Sequence, residues 1–157
     1  MNQNMPDQHL EVLRKETFLK AVENSVGSRL FNSLYIKDQR DGKANDILED
    51  GVYSCAFFVS SLLYLAGTLD KLHATVRGLR DAFEKNDHWQ NVSADSMEPG
   101  DVIFWEKIKF DDGTENAHVG FAIDEREAVS TDYRQRVIVR HPIFSARTID
   151  GVYRYSW

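Results

Sequence analysis

The sequence is poorest in cysteine: there is one, Cys55, in 157 residues. A single thiol excludes an intramolecular disulfide, and with it the stapled scaffolds of small secreted domains. Basic residues are also scarce, with 19 Lys and Arg against 25 Asp and Glu for a net charge of −6. No Lys/Arg-rich stripe stands ready to neutralise phosphates, so nucleic acid is not an expected partner. Long apolar runs are missing as well. The longest surrounds Cys55, is interrupted by serines and is too short to span a bilayer. The polar start, Met1 to Gln8, lacks the apolar stretch of a secretory signal. The expectation is a cytoplasmic protein without membrane insertion, with signal-independent export left open. Also absent are a Gly-rich phosphate loop, a Cys/His cluster at zinc-ligand spacing, internal repeats and low-complexity tracts. No cofactor and no metal are expected. Asp111-Asp112-Gly113-Thr114-Glu115 has oxygen ligands but neither the length nor the alternation of a Ca²⁺ loop, and reads as a charged turn.

What is present is enough for one domain over 1–157, residues 1–8 being expected to be flexible, with 42% hydrophobic residues to build a core. Residues 8–33 read as a helix with Leu10, Leu13, Phe18, Val22 and Val26 roughly on one side, broken near Gly27. A polar loop over 37–51, turning at Asp41-Gly42, leads to an apolar helix that starts at Cys55, with Ser54 as its N-cap and Gly67 as its stop. A second helix spans Thr75 to Asn86. From Trp89 the character changes to short β-rich runs: 101–106, 118–123, 127–130, 136–141 and 151–155. Their spacing suits an antiparallel meander. Helices first and strands afterwards is the pattern of an α+β fold, with helices packed on one side of an antiparallel sheet.

A thiol in the first turn of a helix feels the positive end of the dipole, which favours the thiolate. It becomes an enzyme nucleophile only if a base reaches it. Of the five histidines, His9, His73 and His88 lie in polar surroundings and read as surface residues. His118 begins a strand, and Gly120 two residues on leaves the same sheet face uncovered, with room for another element or a substrate.

The order of these features is a Cys-led helix, then Pro99-Gly100-Asp101-Val102-Ile103-Phe104-Trp105, then His118-Val119-Gly120-Phe121-Ala122-Ile123. It resembles the NlpC/P60 family of papain-like cysteine peptidases and amidases, over roughly residues 30–141. The resemblance implies a papain-like fold in which Cys55 attacks a carbonyl carbon and His118 is general base and acid. The Cys55 backbone N–H would contribute to an oxyanion site. The family's third, orienting residue falls on Ser130. His141 is a better acceptor and is favoured, and Asp132 is a further option. Tyr35 stands where the family places an upstream tyrosine and is a candidate cleft residue. Two departures separate this chain from the peptidoglycan-cleaving members: Ser54 replaces the Asp that recognises the substrate's amino group, and Ala56-Phe57 replaces the usual Ser-Gly. Cys55 precedes His118, as in the hydrolases; permuted acyltransferase-like relatives have the reverse order.

The leading expectation is a thiol hydrolase acting on a peptide or amide substrate, a cell-wall peptide among the candidates. Its catalytic residues would be Cys55, His118 and His141, with Tyr35, Ser54 and Ser130 at the substrate. A binding module without turnover, and an acyltransferase or transglutaminase-like enzyme on the same dyad, are the alternatives.

Overall fold

A computed structural model describes residues 9–145 and 147–157. The tail expected to be flexible, 1–8, lies outside the described residues. The architecture is α+β: three helices, a two-stranded hairpin and a six-stranded antiparallel sheet.

Helix α1 covers Arg14–Asn24, shorter than the 8–33 expected. Leu10 and Leu13 lie before it and are 67% and 57% exposed, because among the described residues no partner covers a continued apolar stripe there. Only Phe18 and Val22 of α1 are fully buried. The helix is tied down at its start by Arg14, whose guanidinium donates to the carbonyls of Ala66 (2.7 Å) and Gly67 (3.0 Å). Those oxygens lie at the C-terminus of α2, where carbonyls lack intrahelical partners and a cation is favoured.

Helix α2, Cys55–Leu65, is apolar almost all round and buries Ala56, Phe58, Val59, Leu62 and Leu63. A helix of that kind must be covered on several sides. α1, α3 and the sheet cover it. Phe58 meets Phe121 edge-on at 5.7 Å, and Phe121 meets Phe18 in the same way at 5.2 Å. Helix α3, Val76–Glu84, starts as expected at Thr75, whose Oγ1 accepts from the Gly78 N–H at 3.1 Å. Leu79 and Phe83 are its buried residues.

Strands β1 (Tyr35–Lys37) and β2 (Ala44–Asp46) form a small hairpin where only a polar loop was expected. The Asp41-Gly42 turn closes it, with Gly42 at φ +74. The main sheet holds β3 (Trp89–Asn91), β4 (Val102–Lys109), β5 (Glu115–Ala122), β6 (Glu127–Asp132), β7 (Val137–Pro142) and β8 (Ile149–Tyr155). Its order is β3-β8-β4-β5-β6-β7. The meander therefore holds from β4 to β7, and β8 departs from it by crossing back to pair with β4.

The reason is in β4. Val102, Ile103, Phe104 and Trp105 are all buried, so β4 carries apolar residues on both faces and cannot serve as an edge. Val102 and Phe104 join the larger core under the helices. Ile103 and Trp105 join a smaller cluster with Met97, Ala122, Ala128, Ile143 and Val152. β7, by contrast, alternates, with Arg140 exposed and paired to Glu127, as an edge strand should. Among the described residues, no helix is long and apolar enough to cross a membrane.

Candidate active site

Cys55 is the first residue of α2. The loop before it is wound through left-handed backbone at Glu49, Asp50 and Gly51 (φ +50, +51 and +97). Gly51 is required there, since a Cβ would come within 2.7 Å of the Asn32 side chain. Asn32 in turn donates to the Arg136 carbonyl at 2.8 Å, which fixes the loop against the turn between β6 and β7. Ser54 does not cap α2 with its side chain. Its backbone is already helical (φ −91, ψ −3), and its hydroxyl donates to the Gly51 carbonyl at 3.0 Å. It is 1% exposed. The expected capping and substrate-facing roles of Ser54 are both replaced by a structural one.

β5 brings His118 to the same place. Cys55, His118, Ser130, Asp132 and His141 line one cavity of about 660 Å³. The backbone N–H of Val119, next to His118, is directed at the Cys55 sulfur. Tyr35 is not part of this cavity. It sits on β1, 70% exposed, and the tyrosines on the cavity wall are Tyr53 and Tyr133.

Behind His118 runs a short polar chain. His118 Nε2 lies 2.8 Å from Ser130 Oγ, and the same hydroxyl lies 2.7 Å from His141 Nε2. His141 Nδ1 is 2.9 Å from the Pro142 carbonyl, which can only accept. The proton of a neutral His141 is therefore on Nδ1, its Nε2 accepts from Ser130, and Ser130 accepts from His118 Nε2–H. That sequence leaves His118 Nδ1 bare. Ser130 and His141, which the sequence offered as rivals, are thus bonded in series behind His118. Asp132 lines the cavity, but its carboxylate is taken by the backbone N–H groups of Arg134 (2.8 Å) and Gln135 (2.9 Å).

Gly120 makes this packing possible. A Cβ there would fall 2.7 Å from Ser130 Cβ, 2.7 Å from the Val129 carbonyl and 3.2 Å from Trp105. The face left open beside His118 is filled by Ser130 and Trp105. The Trp105 ring lies 5.5 Å from that of His118 and 5.6 Å from that of His141. It packs against both imidazoles from one side.

Burial sets the charge state. Desolvation pushes the Cys55 thiol above its ordinary range, against the opposing pull of the Val119 N–H and the Arg147 charge. Burial, with the Arg147 charge and that of His141 when it is protonated behind it, lowers His118 to about 3. The resting pair is thus a neutral thiol and a neutral imidazole. The helix dipole expected to favour a thiolate is outweighed by desolvation.

Three contributors went unassigned at the level of sequence. Tyr53 donates to Asp112 at 3.0 Å and stacks on Phe110 at 6.2 Å, and Phe110 stacks on Tyr133 at 3.9 Å. This joins the loop before Cys55 to the β4–β5 turn across the cavity. Trp105 stood in the quoted strand motif without a role. Arg147 precedes β8 in a stretch with no motif at all, so nothing in the sequence marked it.

Among the described residues, no group of three or more His, Cys, Asp or Glu is placed to hold a metal ion. Compared with known protein families and with curated proteins, the chain matches none of either.

Proposed function

We propose that the protein is a papain-like thiol hydrolase of the NlpC/P60 type acting on an amide or peptide bond. The observation that carries this reading is the His118–Ser130–His141 chain, lying in one cavity with the lone cysteine at the start of α2.

In this reading the Cys55 S–H proton passes to the bare Nδ1 of His118 as the sulfur attacks the carbonyl carbon. A C–S bond forms, and the carbonyl oxygen takes the negative charge. N–H groups in the first turn of α2, free of intrahelical partners, stabilise that oxyanion. His118 then protonates the departing amine, the C–N bond breaks, and water hydrolyses the thioester with His118 again as base. Ser130 and His141 hold the His118 ring and disperse its transient positive charge. Starting from a neutral pair, the proton moves with the attack instead of before it.

A second reading, a binding module on the same fold, is favoured by one observation: burial keeps both members of the dyad uncharged. A mixed library of short peptide amides separates the two. Wild-type protein should release new amines, detected by mass spectrometry, and Cys55→Ala and His118→Ala should release none. Binding without release by wild-type protein would establish the module.

A further inference from the structure

Arg147 is half-buried on the wall of the cavity. Its Nη1 donates to the Asn116 carbonyl at 3.1 Å, and its guanidinium carbon lies 5.9 Å from the Phe110 ring centre. Among the described residues it makes no ion pair, although its charge is felt at both Cys55 and His118. A guanidinium stays charged in proteins and presents five donors in a rigid fork. Here one of those donors has a protein partner.

Among the described residues the exposed Arg14, Arg29 and Arg77 also lack a carboxylate, but the other two half-buried arginines, Arg80 and Arg154, each have one. Arg80 is paired with Asp150, Arg134 with Asp111, Arg136 with Asp50, Arg140 with Glu127 and Arg154 with Asp101. A net charge of −6 leaves no shortage of carboxylates. A partly desolvated arginine without one is costly unless something else supplies the anion. The cavity wall repeats the bias. Arg77 and Lys107 line it without an ion pair among the described residues, against Glu115 and an Asp132 already bound to backbone N–H groups.

We propose that Arg147 is an anion receptor for the substrate, so that the molecule attacked by Cys55 carries a carboxylate close to its reacting carbon. The proposal rests on Cys55 as the nucleophile and adds a specificity-determining residue to that reading. The fork faces a carboxylate, Asn116 holds its near side, and Phe110 backs it as a weakly hydrated surface.

Two alkylating reagents of nearly equal size test it without knowledge of the substrate. Iodoacetate carries a carboxylate beside its reacting carbon, and iodoacetamide carries a neutral amide in the same place. The readout is the ratio of their rates at Cys55 of the native full-length chain, against the same ratio for a free small thiol in the same buffer. A single partly solvated charge pair should raise the ratio roughly fivefold to tenfold. In folded Arg147→Gln the ratio should fall to the free-thiol value, whatever common slowing of both reagents follows from losing its charge beside Cys55, and Arg147→Lys should keep part of the preference. An equal ratio in wild type and Arg147→Gln overturns the proposal and leaves the cysteine reading intact. Failure of both reagents to label native Cys55 overturns both. Should Arg147→Gln unfold, which would bring both rates to the free-thiol speed, the salt dependence of the wild-type ratio decides. A ratio that falls as salt rises supports the receptor, and one indifferent to salt overturns it.

Discussion

A serine hydroxyl between two imidazoles has one proton and can donate it in only one direction at a time. With Ser130 donating to His141, His118 must present Nε2–H to the serine, which leaves its other nitrogen free to act as a base. Removing the hydroxyl in Ser130→Ala strands a buried N–H. The expected cost is about 1–3 kcal/mol in chemical denaturation. If the chain orients the base, turnover should fall by roughly 10²-fold as well, in kcat more than in KM. A stability loss with unchanged turnover would make Ser130 structural only. The depressed His118 pKa has a stability consequence of definite sign. In the unfolded chain the ring binds a proton below its ordinary value of 6.5, and in the folded protein only near 3. The unfolded state therefore holds more protons between those values. Stability is complete above pH 6.5 and falls by about 1.4 kcal/mol for each unit below it, until the folded ring titrates. The unfolding free energy from urea titration should drop by about 1.6 kcal/mol between pH 6.5 and pH 5 on account of His118, above the range where carboxylates titrate, and His118→Gln should remove that part of the slope and leave the part due to His73, which burial also lowers.

At the level of elements, the Pro99-Gly100-Asp101 motif has an architectural use. Asp101 is 1% exposed and holds two Arg154 nitrogens at 2.8 Å each, with a third bond from the Glu98 N–H at 2.8 Å. It thereby fastens the start of β4 to β8. Substituting Arg154→Met would leave a buried carboxylate without its counter-charge, at a cost of about 3–5 kcal/mol. The double variant with Asp101→Asn should recover a good part of that loss, since the buried charge goes with it. Urea midpoints of the single and double variants decide the matter, and additive losses would refute the coupling. Elements with a strong local signal were legible in the sequence: the apolar α2, the Thr75 cap of α3, and the five runs that became β4 to β8. The hairpin β1–β2 was not. Of its six residues only Asp46 is even half-buried, so no apolar alternation announces it. α1 was overextended for the opposite reason, because Leu10 and Leu13 carry a helical stripe that no partner among the described residues covers.

The whole molecule joins what the sequence separates, and there the limits of reading are set by contacts far apart along the chain. Cys55 and His118 could be paired from their order along the chain. The series Ser130–His141 could not, since a strand register decides it, and Arg147 enters the cavity only because β8 crosses back to β4. That crossing also orders the rigidity of the fold. β4 has a partner on each edge, β5 and β8, and apolar cover on both faces, so its amide hydrogens should exchange only through global unfolding. β7 has one partner and alternating exposure, and should open with less free energy. The hairpin β1–β2, three residues a strand and largely exposed, should exchange by local opening alone. Native-state hydrogen exchange with rising denaturant should therefore place Val102 to Trp105 at the global free energy, β7 below them, and Tyr35 to Lys37 near zero. The neighbours of the cavity divide in the same way. His118 and Ser130 stand on interior strands, while Arg147 and Tyr53 stand on loops, so the proposed base would be held rigidly and the proposed substrate-binding groups would be free to adjust. Protection of β4 no greater than that of the hairpin would contradict β8 lying between β3 and β4, and with it the route by which Arg147 reaches the cavity.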